Sequence, residues 1–143
     1  MTMQDLKKYR WLRREIGTLR QKLAMLEADT KAPSSRRPES QPIRGSRRDR
    51  MTEYIIRTEE LRRIIGERER AATAELESIE RFISSVPDSL DRQILSHRFV
   101  DGYSWTRTAH ALGGGNTPEG VRKRAKRAMR DPKGSAENRA AKK

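Results

Sequence analysis

Apolar side chains recur at alternating steps of three and four over two long stretches of the chain. In the first, residues 2–28, Tyr9, Leu12, Ile16, Leu19, Leu23 and Leu26 fall on one line, the spacing of a single helical face. In the second, residues 51–86, the line runs through Met51, Tyr54, Thr58, Leu61, Ile65, Ala72, Ile79, Phe82 and Val86. Leu76 and Ile83 widen it, and Arg68 and Glu75 interrupt it. Gly17 and Gly66 weaken the two helices locally, and Pro87 ends the second. Each stripe has the width of a coiled-coil seam, and neither can be left in water. The two stretches therefore predict a long helical, coiled-coil-like hairpin, paired within one chain or between chains.

Residues 29–50 break the pattern. Pro33, Pro38, Pro42 and Gly45 sit among serines with almost no apolar side chain. Such a segment buries too little surface to offset the entropy of ordering it, so it reads as a flexible linker. Lys31, Arg36, Arg37, Arg44, Arg47, Arg48 and Arg50 make it basic. It is expected to serve as a solvated hinge, with a loose phosphate-binding arm as the functional alternative.

Beyond Pro87 the period shortens into three predicted helices, spanning residues 87–130. Asp88 or Ser89 caps the first, which buries Leu90, Ile94, Leu95 and Phe99 and stops at Gly102. Ser104 caps the second, 104–112, which buries Trp105, Ala109 and Leu112. Gly113, Gly114, Gly115 and Asn116 make a turn needing permissive backbone angles. Thr117 caps the third, with Pro118 in its first position and Val121, Ala125, Ala128 and Met129 facing inward. The order, helix then short helix, turn and basic helix, is that of a helix-turn-helix unit. Residues 131–143, with Pro132 and Gly134, read as a disordered polar tail. The fold class expected is thus all-α, a helical hairpin followed by a helix-turn-helix.

Charge adds a partner to this picture. Among 143 residues, 33 are Lys or Arg and 20 are Asp or Glu, a formal net charge of +13. Hydrophobic residues are only 33%, below the roughly 45–50% of an ordinary globular domain. One small packed unit with helical arms fits better than one thick core. The commonest polyanion for such a chain is nucleic acid. Absence of cysteine excludes disulfides, thiolate zinc sites and thiol nucleophiles, and agrees with a cytoplasmic location. No apolar run approaches the ~18–20 residues of a membrane span, and the first residues lack the apolar core of a secretory signal. No membrane partner is expected.

The last predicted helix concentrates this charge. Between positions 117 and 130 lie Arg122, Lys123, Arg124, Lys126, Arg127 and Arg130, opposed only by Glu119. A DNA major groove admits one α-helix. Arg or Lys then donates to guanine O6 and N7, and a carboxylate accepts from the cytosine amino group. Glu119, Arg122, Lys123 and Lys126 are the expected base readers. Arg124, Arg127 and Arg130 are expected at phosphates, with Thr117, Thr106 and Arg107, the last two at the start of the preceding helix where free N–H groups favour an anion.

At these residues the chain resembles a known group. The run Arg98-Phe99-Val100-Asp101-Gly102-Tyr103-Ser104-Trp105, then Ala109 with Leu112-Gly113, then Val121-Arg122-Lys123-Arg124 with Arg127-Ala128, is similar to region four of bacterial sigma factors. It is more similar to the small phage- and prophage-encoded regulators built on that unit, of the ArpU/RinA late-transcription type, which share the layout of hairpin, polar loop and C-terminal helix-turn-helix. The resemblance implies a transcriptional regulator that binds double-stranded DNA, has no enzymatic activity or cofactor, works in the bacterial host cytoplasm, and has RNA polymerase as a further candidate partner. The turn between Gly113 and Val121 is longer than in a typical sigma factor, so the register of the reading helix stays open. No promoter-melting or core-polymerase-binding region is recognisable, which argues against a replacement sigma factor.

Two other readings compete. A phage small-terminase-like packaging subunit also combines a helix-turn-helix with oligomerising helices, but usually places the DNA unit first. A coiled-coil adaptor with incidental charge is the other, and the N-terminal helices make a homo-oligomer an open possibility. An enzyme is the weakest reading. His97, beside Arg98 and Phe99 on a helix, reads as a surface or core-edge histidine, His110 has no carboxylate nearby in sequence, and Gly113-Gly114-Gly115 lacks the Lys-Ser/Thr ending of a phosphate-binding loop. Glu59, Glu60, Glu67 and Glu69 read as solvated helix charges rather than metal ligands.

Overall fold

The computed structural model describes residues 1–31 and 47–131. Among them the chain is all-helical, with no strand. The helices are α1 (Met3–Lys31), α2 (Arg47–Ser85), α3 (Ser89–Leu95), α4 (Trp105–Leu112) and α5 (Pro118–Arg130). Among the described residues no helix is long and apolar enough to cross a membrane. Both α1 and α2 extend into the expected linker, by three residues at Asp29–Lys31 and four at Arg47–Arg50. The rest of that linker, and the expected tail beyond Asp131, lie outside the described residues.

The chain divides into two compact units. One takes Met1–Leu12 with the described residues from Ala71 onward; the other takes Arg13–Arg70.

In the Arg13–Arg70 unit, α1 and α2 run antiparallel within the one chain. Glu15 accepts from Arg68 Nε at 2.8 Å, Arg20 pairs with Glu69, and Glu27 accepts from Arg62 at 3.0 Å. Arg68, a polar interruption of the apolar line, is therefore used across the helix pair, and the bond to Glu15 raises its pKa. Such exposed pairs add little stability, but they fix the register. Ile16, Thr58 and Ile65 are buried here. Leu19, Leu23, Leu26 and Leu61 are only half-buried, and Met51, on the same predicted line, is exposed. Two helices can shield one line each, so the flanks of the stripe remain in contact with water.

The other unit holds the larger core. Thr2 opens α1 with a reciprocal cap: its N–H donates to Asp5 Oδ2 at 2.8 Å, and the Asp5 N–H donates to its hydroxyl at 3.3 Å. The Thr2 N–H, and then the Thr2 hydroxyl, donate to the Asp5 carboxylate and hold it below its ordinary pKa. Lys8 faces Glu75, the second polar interruption, at 3.5 Å. Leu6 and Tyr9 of α1, and Ala72, Ile79 and Ile83 of α2, are buried. So are Val86, Ile94, Leu95, Phe99, Ala109, Val121, Ala125 and Ala128, which lets α3, α4 and α5 pack on one another. Small residues at 109, 125 and 128 allow close helix crossings. Leu90, Trp105, Leu112 and Met129, expected inside, are half-exposed at the edges of this core. Thr108, not expected inside, is wholly buried and donates its hydroxyl to the Ser104 carbonyl at 2.8 Å.

Candidate nucleic-acid interface

The scaffold begins with α3. Asp88 caps it, accepting from the Asp91 N–H at 3.0 Å. The helix does not run regularly to Gly102. From Ser96 to Val100 it widens into a π turn, in which the Asp101 N–H reaches the Ser96 carbonyl at 3.0 Å. Gly102 then takes φ +76°, and the Tyr103 N–H bonds back to the His97 carbonyl at 2.9 Å. This reversal brings several aromatic and cationic groups together. His97 stacks on Tyr103 with ring centroids 5.3 Å apart, and its Nδ1 lies 2.9 Å from Asp101. Phe99 meets Trp105 edge to face. Arg98 lies over Trp105 at 4.8 Å and donates to the Tyr103 carbonyl at 2.6 Å. Burial, and then the nearby Arg10, lower the Arg98 pKa. Hydrophobic spacing carries no mark of the π turn, and the roles of Arg98 and Tyr103 depend on it.

Ser104 caps α4 by accepting from the Arg107 N–H at 3.1 Å. Thr106 and Arg107, the expected phosphate contacts, are both exposed there. The Arg107 guanidinium is 3.9 Å from the centre of the Tyr103 ring, which holds it at the entrance of α4. Three successive glycines follow, with φ of +61°, +62° and +77°. Side chains with a Cβ are strained at such angles, so this turn depends on glycine. Asn116 closes it, its Nδ2 donating to the Gly113 carbonyl at 2.7 Å.

Thr117 opens α5, its hydroxyl accepting from the Gly120 N–H at 3.1 Å. The helix divides cleanly. Val121, Ala125 and Ala128 are no more than 1% exposed. Arg122, Lys123, Lys126, Arg127 and Arg130 are all exposed, in steps of one, three and four along the opposite side. Glu119 lies with them and meets Lys123 at 3.5 Å, a loose exposed pair. Five of the six cations thus form one outward stripe on a helix whose other side is anchored.

Arg124 is the exception and corrects the expectation that it meets a phosphate. It points inward. Its Nη2 donates to Asp88 at 2.6 Å and its Nε to Asp91, which is wholly buried. The reason is angular: at ~100° per residue position 124 flanks the buried face, about 40° round the helix from Ala128, so its side chain leaves the outer stripe. The Asp88–Asp91 spacing is legible as a helix start. Its pairing with a cation 33 residues further on is not.

Among the described residues no group of His, Cys, Asp or Glu could hold a metal ion. Comparison with protein-family models, characterised proteins and solved structures finds no significant match to this chain.

Proposed function

We propose that this chain is a double-stranded-DNA-binding transcriptional regulator of the sigma-region-four-like type that phages and prophages encode. In this reading α3–α5 are the helix-turn-helix, α5 is the major-groove helix, and α1 with α2 is the coiled-coil-like arm. One observation carries it: the outward stripe Arg122, Lys123, Lys126, Arg127 and Arg130 on a helix fixed from behind by Val121, Ala125 and Ala128. A cationic helix that is merely solvated needs no such anchoring. A helix that must present side chains to base edges needs a fixed rotation about its axis.

Glu119, Arg122, Lys123 and Lys126, nearest the amino end of the stripe, read bases. Arg127 and Arg130, with Thr106, Arg107 and Thr117, hold phosphates. Arg124 leaves that set because its charge is already neutralised within the protein. The Thr117 hydroxyl can accept from Gly120 and still donate to a phosphate oxygen.

The test is selection from a random duplex library with the full chain, followed by a salt titration. A defined motif is expected, with affinity falling as salt rises, a log–log slope of about −3 for the three cations, Arg107, Arg127 and Arg130, held at phosphates. Failure to enrich any sequence, with binding indifferent to salt, would reject the reading. A ring of many copies would instead favour DNA packaging.

A further inference from the structure

On α2, Arg48, Met51, Ile55, Glu59 and Arg62 succeed one another at steps of three and four, so they line one side of the helix. Arg62 is held by Glu27 of α1. Met51 and Ile55 are 54% and 47% exposed, and Ile56 beside them 58%. Arg48 and Glu59 are exposed at the two ends, and neither side chain has a partner among the described residues.

The chain has little with which to cover this apolar centre. Among the described residues, the Arg13–Arg70 unit consists of parts of two helices, α1 and α2. Residues 32–46 carry one large aliphatic side chain, Ile43, and residues 132–143 carry none. The stripe is, however, complementary to itself. It reads cation, apolar pair, anion. A second α2 laid antiparallel sets Arg48 of each copy against Glu59 of the other, with Met51 of each near Ile55 of the other and Ile56 on the flank of the contact. A two-fold contact requires this reciprocity. Local charge permits it: residues 20–30 and 48–63 carry seven basic and six acidic side chains, whereas α5 would repel its own copy.

We propose that this side of α2 is a two-fold self-association surface whose occupant is a second copy of this chain. The inference does not rest on DNA binding. The full-length protein in sedimentation equilibrium should show a monomer–dimer transition. Ile55→Glu, with its helical content unchanged by circular dichroism, should raise the dimer Kd about 30-fold or more. Arg48→Glu and Glu59→Arg should each weaken the dimer about tenfold, because the pair occurs twice per interface. Combining them restores the charges in reversed order and should return the Kd to within about threefold of the parent. A parent chain that stays monomeric at ~100 μM, leaving the face to residues 32–46 or to an unrelated protein, overturns the proposal. So does a dimer indifferent to Ile55→Glu, or one that the double charge reversal does not restore.

Discussion

Arg124 of α5 is bound through its Nε to Asp91 of α3, a carboxylate wholly shielded from water. Asp88, one turn earlier, completes the socket, so the start of α3 grips the middle of α5 by charge as well as by apolar contact. The bond lies between the two helices whose relative rotation decides which α5 side chains face outward. Breaking one partner of a buried pair costs far more than replacing both, because the survivor is left desolvated and unpaired. Arg124→Leu is therefore expected to destabilise the fold by about 3–5 kcal/mol. Asp91→Leu combined with Arg124→Leu should recover most of that loss. Urea unfolding of the single and double variants checks this; equal losses in both would mean the pair is not the source.

The Thr117 cap makes a second, finer expectation. A Cβ added at Gly120 would sit 2.9 Å from the Thr117 hydroxyl oxygen. Alanine normally improves on glycine inside a helix by ~1 kcal/mol, but here it should bring no gain, because the capping hydroxyl must move. Thr117→Ala alone should cost about 1 kcal/mol. In that background Gly120→Ala should become stabilising by about 1 kcal/mol. Thermal unfolding of the four-member cycle reads the coupling directly.

The small residues at the helix crossing give a third. Ala125 is wholly buried on α5. Ala125→Leu has no room and should destabilise by about 1–3 kcal/mol. It should also lower DNA affinity more than thermal stability alone explains, since it pushes α5 away from its support. Affinity measured well below the unfolding temperature separates the two effects.

Much of this framework was legible in the residues. Ser104, Thr117 and Pro118 mark helix starts by local chemistry, and Val121, Ala125 and Ala128 mark a buried face by spacing, so both survive without knowledge of distant contacts. Arg68 and Glu75 looked like faults in the stripe of α2 and are in fact bonded to Glu15 and Lys8 across the helix pair. What stayed hidden depends on tertiary context. The inward turn of Arg124 needs Asp91, 33 residues earlier, to make a buried cation tolerable. The π turn at Ser96–Val100 has no period of its own, and the grouping of Arg98, Tyr103, Trp105 and Arg107 follows from it. The half-exposure of Leu90 and Leu112 depends on how far neighbouring helices reach, which spacing does not encode.

The proposed division of the α5 stripe between bases and phosphates is tested most directly by comparing affinities for the selected duplex and for random duplex. Arg122→Ala and Lys123→Ala should each lose about 1–3 kcal/mol on the selected sequence with little change on random DNA. Arg127→Ala should weaken both alike and reduce the salt slope by about 0.9. If all three variants lose the same affinity on both duplexes, or none loses any, α5 does not read DNA as described.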